Sequence, residues 1–340
     1  MEIDLILVST VILALIFAYT NGVLDASPRV ATMVASRAAS PSSAVIYAAT
    51  LGLIGSILGG SAVAFTMMQV IDVEPSPTLG RMMLAALMGA TLWNIITWRK
   101  GLPSSSTHSL VGGLVGAAAA GAGMGSISWG IEELVHGQVV GLSRIVLLLI
   151  LSVAAGFIGG YVLRKVTAIV LRPANRTVTK HLLNTQWFTT GVLAFAHGSN
   201  DSQKLMGIIV LALMSANLVS TNDIPLWVRI SCALVLSAGT LAGGWNIMKT
   251  LGRKIYPLRA LDSLNSQITS ASTLLISTIA GAPVSSAQVV TSSIMGVGAA
   301  ENAKMVQWSV GKPMIVSWFL TIPASATISA LILLIMNISI

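Results

Sequence analysis

The sequence predicts an all-α membrane protein made of two inverted-topology repeats, with broken or re-entrant helices and about 10–12 transmembrane segments. Three observations carry this. The 340 residues are 54% hydrophobic and only 9% charged, where soluble domains carry about 25% charged residues. Apolar runs of bilayer-spanning length recur along the chain, and such runs must satisfy their backbone internally, as helices do. Motifs of the first half also return in the second.

Ten apolar crossings can be read, five in each half. The first five lie near 4–20, 43–70, 79–98, 105–123 and 143–163, and the second five near 186–218, 225–247, 264–281, 284–300 and 312–338. The first run follows Glu2 and Asp4 rather than basic residues, and no small-x-small cleavage site comes after it. It is therefore expected to be a retained helix and not a signal peptide. The run near 186–218 exceeds one crossing and is expected to be broken. With the N-terminus outside, the inner loops carry Arg29, Arg37, Arg99, Lys100, Arg164, Lys165, Arg172, Arg176 and Lys180, then Lys249, Arg253, Lys254, Arg259, Lys304 and Lys312. These are fifteen of the 19 basic residues. The positive-inside rule thus accounts for the net charge of +8, and no nucleic-acid partner is needed. The acidic segments near 71–76 and 132–137 fall outside, as do both termini, which predicts a multi-pass protein of the cytoplasmic membrane. Cys232 is the sole cysteine, so an internal disulfide is excluded and the thiol is read as packing.

The repeats set the organisation. NGVLDAS at 21–27 is echoed by HGSNDSQ at 197–203, and GLPSSSTHSLVGGLVGA at 101–117 by GAPVSSAQVVTSSIMGVGA at 281–299. Two copies of a unit with an odd number of crossings insert in opposite orientations, the arrangement of alternating-access transporters. The expected divisions are repeat 1 over 1–163, a basic cytoplasmic linker over 164–182, and repeat 2 over 183–340.

The stretch from His197 to Lys204 is polar between two apolar runs. It is expected to be a broken helix whose freed backbone groups, hydroxyls and charges face a transported ion, with Asp201 and Lys204 able to pair across one turn. Pro103-Ser104-Ser105-Ser106-Thr107 and Pro283-Val284-Ser285-Ser286 read as helix starts, because proline suits the first turn and serine caps it. A helix start offers free N–H groups, a positive dipole and hydroxyls, which suit a tetrahedral oxyanion such as phosphate or sulfate.

Asp25 and Asp201 are the carboxylates inside apolar segments. With Asn21, Asn200 and unwound carbonyls they would hold a hard cation such as Na⁺, or else carry protons. His197 reads as a proton carrier or a satisfied polar residue, and His108 as structural. Trp93-Asn94 and Trp245-Asn246 read as lying near helix ends, their tryptophans anchored at the interface. No Gly-x-Ser-x-Gly elbow lies near either histidine and no Walker-type loop is present, so neither a hydrolase nor an ATPase is expected.

At these residues the chain resembles the inorganic phosphate transporter family, the Pit-type permeases that include sodium–phosphate symporters. The strongest pieces are NGVLDASPRVAT, GLPSSSTHSLVGGLVGA, AHGSNDSQKLMGIIVLAL, LAGGWNIMKTLGRKI and GAPVSSAQVVTSSIMGVGAA. The resemblance implies a secondary transporter importing inorganic phosphate with H⁺ or Na⁺, no enzymatic activity, no cofactor beyond a bound Na⁺, and a homodimer in the bilayer. Carried over by position, the phosphate ligands would be Ser105, Ser106, Thr107, Ser285 and Ser286, with Lys204 beside them. The coupling-ion ligands would be Asn21, Asp25, Asn200 and Asp201. The chain departs from the family at Pro28, where Asn is usual, at Gln267, where a glutamate is common, and at Ala287 and Gln288, where Thr-His is usual. These changes remove oxygen ligands, a titratable group and a hydroxyl, so a sulfate or other oxyanion permease is the first rival reading. A phosphate-binding sensor and a passive channel come after it.

Overall fold

Twelve helices account for nearly all of the residues that the computed structural model describes, which are 5–100, 104–173, 177–220, 223–243 and 255–338. In order they are α1 (Leu5–Ala35), α2 (Pro41–Leu58), α3 (Ala62–Met68), α4 (Pro77–Arg99), α5 (Ser106–Gly121), α6 (Ile131–Val135), α7 (Gly141–Val170), α8 (Val178–Ser215), α9 (Leu226–Ala242), α10 (Ala260–Ile279), α11 (Ser286–Asn302) and α12 (Gly311–Ile338). Several starts follow the local chemistry. Ser40 and Ser76 cap α2 and α4 through their hydroxyls, each followed by a proline in the first turn.

Among the described residues, five helices are long and apolar enough to cross a bilayer: α1, α2, α4, α7 and Ile315–Ile338 of α12. On α7, Leu147, Ile150, Leu151 and Ile158 stay exposed, as a lipid-facing surface requires. Helices α5 and α11 have 16 and 17 residues. At 1.5 Å per residue they reach roughly 24–26 Å, short of the hydrocarbon core of about 30 Å.

The helices pair by exchange between the two halves of the chain. Helix α1 packs on α9 and α8 on α2, while α5 packs on α12 and α11 on α7. Close approach makes these contacts tight. A Cβ at Gly198 of α8 would lie 2.2 Å from the Gly52 carbonyl oxygen of α2, and one at Gly296 of α11 would lie 2.0 Å from that of Phe157 in α7. Small residues that let backbones touch are how helices associate where the hydrophobic effect is weak.

Several expectations are corrected. The polar stretch 197–204 does not break its helix, since α8 runs 38 residues without interruption. Its polar side chains find partners on neighbouring elements, so the backbone keeps its own ladder. Helix α1 likewise passes through 21–27 and through Pro28, which withholds only its own N–H, from the Leu24 carbonyl. The break in the 43–70 run falls between α2 and α3, where Gly60 adopts φ 83°.

Two arginines assigned to inner loops are core residues. Arg29 is fully buried in α1, and Arg164, buried in α7, binds Asp262 at 2.8 Å and also Glu301. Trp93 is half-buried with its Nε1 buried, and Asn94 accepts from Ser109 at 2.6 Å. Pro103, Arg176, Trp245, Asn246, Lys249, Arg253 and Lys254 lie outside the described residues.

Candidate functional site

The octapeptide of α8 sorts its polar residues by helical position. Ser199 and Gln203, four apart, face the turn between α2 and α3. Gln203 donates to Gly59 O at 2.8 Å and accepts from Val63 N–H at 2.9 Å, and Ser199 donates to Gly59 O. Asn200 points the other way. Its amide donates to Thr278 Oγ1 (3.0 Å) and Ala282 O (2.9 Å) and accepts from Val284 N–H (3.2 Å), pinning the segment that leads into α11. His197, Asp201 and Lys204 share the remaining face.

Asp201 is the hub, and it is buried. Its Oδ1 takes Lys204 Nζ at 2.7 Å. Its Oδ2 takes His197 Nε2 at 2.9 Å and Ser286 Oγ at 3.4 Å, with Arg29 Nη2 at 3.7 Å. Ser286 Oγ also lies 2.8 Å from His197 Nε2. Lys204 spends its other protons on Thr107 Oγ1 (2.8 Å) and Val284 O (2.6 Å). Thr107 in turn donates to Val284 O at 3.1 Å. The first turn of α5 and the segment just before α11 therefore meet over one ammonium group.

Both helix starts are buried. Ser105 caps α5 by accepting from His108 N–H, which leaves the N–H groups of Ser106 and Thr107 without intrahelical acceptors. Ser285 precedes α11 without making a side-chain cap, so its hydroxyl leaves the first-turn N–H groups there unsatisfied. Ser105, Thr107, Ser285, Ser286 and Gln288 are buried, and Ser106 is half-buried. The buried oxygens of Ser104, Gln288 and Asn21 find no hydrogen-bond partner among the described residues. An uncapped buried helix start beside orphaned polar oxygens is costly unless a ligand or water completes it.

The structure thus brings Thr107, Ser286, Lys204 and Asp201 into one cluster, with Ser105, Ser106 and Ser285 at its two helix starts. Asp25 joins it from α1, because single ligand atoms of Asp25, His197 and Asp201 all lie within 4.8 Å of one another. No hydrogen bond to Asp25 is found among the described residues. Asn200 serves the 278–284 segment instead. Gln267 is engaged on both sides, accepting from Thr189 at 2.6 Å and donating to Thr32 and Gln186. His108 is a buried residue of the first turn of α5.

The sequence reading missed Arg29, whose Nη1 donates to Thr240 of α9 at 3.1 Å. A signal was present: Asp25 and Arg29 are four residues apart and share a face once α1 is continuous.

This geometry can be set beside known proteins. The sequence profile of the phosphate transporter family matches residues 21–185 and 171–329. The chain belongs to the phosphate transporter family. It is accordingly a transporter and not an enzyme. A Bacillus subtilis relative, described as a probable low-affinity inorganic phosphate transporter, is 36% identical over 98% of this chain and 99% of its own. A Rhizobium meliloti protein of the same description is 36% identical over 96% and 95%. Among solved structures, one titled the sodium-dependent phosphate transporter superposes with a TM-score of 0.87 over 98% of this chain and 100% of its own. At 23% identity that likeness speaks for the fold. The transporter is therefore an all-helical membrane protein of this family, with a charged cluster at the meeting point of α1, α5, α8 and α11.

Proposed function

We propose that the protein is a secondary active transporter that imports inorganic phosphate across the cytoplasmic membrane, coupled to H⁺ or Na⁺, by alternating access of two inverted repeats. The observation that carries this is the meeting of two buried helix starts, α5 and α11, over Lys204 through the Thr107–Val284 bond. The N–H groups of both first turns, with the hydroxyls of Ser105, Ser106, Thr107, Ser285 and Ser286, form a donor set for a tetrahedral oxyanion. Lys204 adds charge, exchanging its bond to Thr107 or Val284 O for one to the anion.

Phosphate near neutral pH keeps a proton and needs an acceptor, whereas sulfate keeps none. Asp25, close to Asp201 and without a hydrogen bond among the described residues, supplies an acceptor, which favours phosphate. Asn21, Asp25 and Asp201 form the cation-coupling side, and Asn200 shapes the approach to α11.

The exchanged packing of the halves supports the repeat reading, since the α1–α9 pairing is matched by α8–α2 and the α5–α12 pairing by α11–α7. The short α5 and α11, starting at the cluster, suit re-entrant elements that could be exposed to one side and then the other. The exposed apolar faces belong to lipid, and a homodimer is the assembly the family resemblance implies.

The test is uptake of labelled phosphate into proteoliposomes, with pH and Na⁺ gradients imposed separately. The expected outcome is saturable accumulation above the external concentration, little affected by a large excess of sulfate. Uptake that only equilibrates, or equal competition by sulfate, would overturn the proposal.

A further inference from the structure

The Asp25–His197–Asp201 group is the place where a coupling Na⁺ would be sought, but its central carboxylate, Asp201, is already engaged by the chain's own donors. Both oxygens of Asp201 are taken, Oδ1 by the Lys204 ammonium and Oδ2 by His197, Ser286 and, at 3.7 Å, the Arg29 guanidinium. A hard monovalent cation wants several free oxygen ligands. Here Asp201 already contacts the Lys204 ammonium and lies 3.7 Å from the Arg29 guanidinium, two fixed cations that are 3% and 0% exposed.

We propose that the Arg29 guanidinium is a resident counter-cation of the Asp25–Asp201 pair, and that phosphate transport by this chain is consequently independent of Na⁺. The inference rests on the transport reading above and narrows its coupling ion. The guanidinium is held for this role. Nη1 is anchored by Thr240 Oγ1 at 3.1 Å, and it fits between α1 and α2 because position 52 is glycine, where a Cβ would come within 3.1 Å of Nη1. Nε and Nη2 are buried with no hydrogen-bond acceptor among the described residues, so the group is placed by charge and not consumed by local bonding there.

The test compares labelled phosphate uptake by the full chain in proteoliposomes, under one inward pH gradient, with NaCl or choline chloride outside. Wild-type rates are expected to agree within two-fold in the two salts. Arg29→Ala is expected to fall at least ten-fold in choline and to recover several-fold in NaCl. In Arg29→Lys, which keeps the charge, the rates in the two salts are expected to stay equal.

A Na⁺ requirement in the wild type would overturn the proposal, as would an Arg29→Ala variant with equal rates in both salts. A second readout separates this proposal from the transport reading. In detergent, NaCl in place of choline is expected to leave the wild-type Tm unchanged and to raise that of Arg29→Ala. Absence of phosphate uptake in either salt would defeat the transport reading, and Arg29 would still be judged by the Tm comparison. A Tm rise in the wild type, or none in the variant, would sink it.

Discussion

Replacing Lys204 by methionine tests the hub directly, because one ammonium holds three segments together. Lys204 Nζ contacts Asp201 at 2.7 Å, Thr107 Oγ1 at 2.8 Å and Val284 O at 2.6 Å, with the side chain almost wholly buried. Methionine matches the length and polarisability of the aliphatic stem, so the loss is mainly of charge. Removing one partner of a buried ion pair costs about 3–5 kcal/mol, because the other charge is stranded. At about 2 °C per kcal/mol, the low end of the range and suited to a large chain, Tm should fall by roughly 6–10 °C.

Asp201→Asn should cost a comparable amount for the reciprocal reason. The double variant should cost clearly less than the sum, with a coupling of about 1.5 kcal/mol or more. The eight tryptophans make intrinsic-fluorescence melting in detergent a practical assay. Additive shifts, or a Lys204→Met protein melting within 2 °C of wild type, would show that the pair does not organise the site.

Three further substitutions probe the supports of the site. Gly198→Ala drives a Cβ to 2.2 Å from the Gly52 carbonyl oxygen, a backbone clash, so α2 and α8 should separate and the monodisperse peak on size-exclusion chromatography should be lost. Asn200→Ala removes the three bonds that hold 278–284; at about 1 kcal/mol each, a partial loss of order ahead of α11 should raise the Kd for phosphate roughly ten-fold, as read by equilibrium dialysis. Gln267→Glu turns the donor that serves Gln186 Oε1 and Thr32 Oγ1 into an acceptor facing an acceptor. It should cost about 1–3 kcal/mol of stability, measured as a lower Tm at neutral pH.

The fold class and the site neighbourhood were legible because they rest on composition and on motifs repeated in sequence. Hydrophobic runs and the twin Pro-Ser and Asp motifs pointed to the residues now gathered around Asp201. The continuity of α8 was not legible. A polar octapeptide looks like a break until Gly59, Val63, Ala282 and Val284 are known to supply its partners. Arg29 was misread for a related reason. The positive-inside rule counts charges, and it does not distinguish a solvated arginine from one buried against a carboxylate on another helix. Arg164 was misread in the same way, since Asp262 and Glu301 lie 98 and 137 residues further on. Asn200 was carried over with the cation ligands by the family resemblance, and the helix turns it about 100° away from Asp201, towards Thr278, Ala282 and Val284.

The central claim is the location of the oxyanion, and arsenate can locate it. Arsenate is tetrahedral like phosphate, and the anomalous signal of arsenic marks its position in crystals of the full chain. The account predicts a single strong peak within hydrogen-bonding reach of the first-turn N–H groups of α5 and α11 and of Thr107, Lys204 and Ser286. A peak elsewhere, such as among Asp72, Glu132 and Glu133 in the large surface cavity, would contradict it.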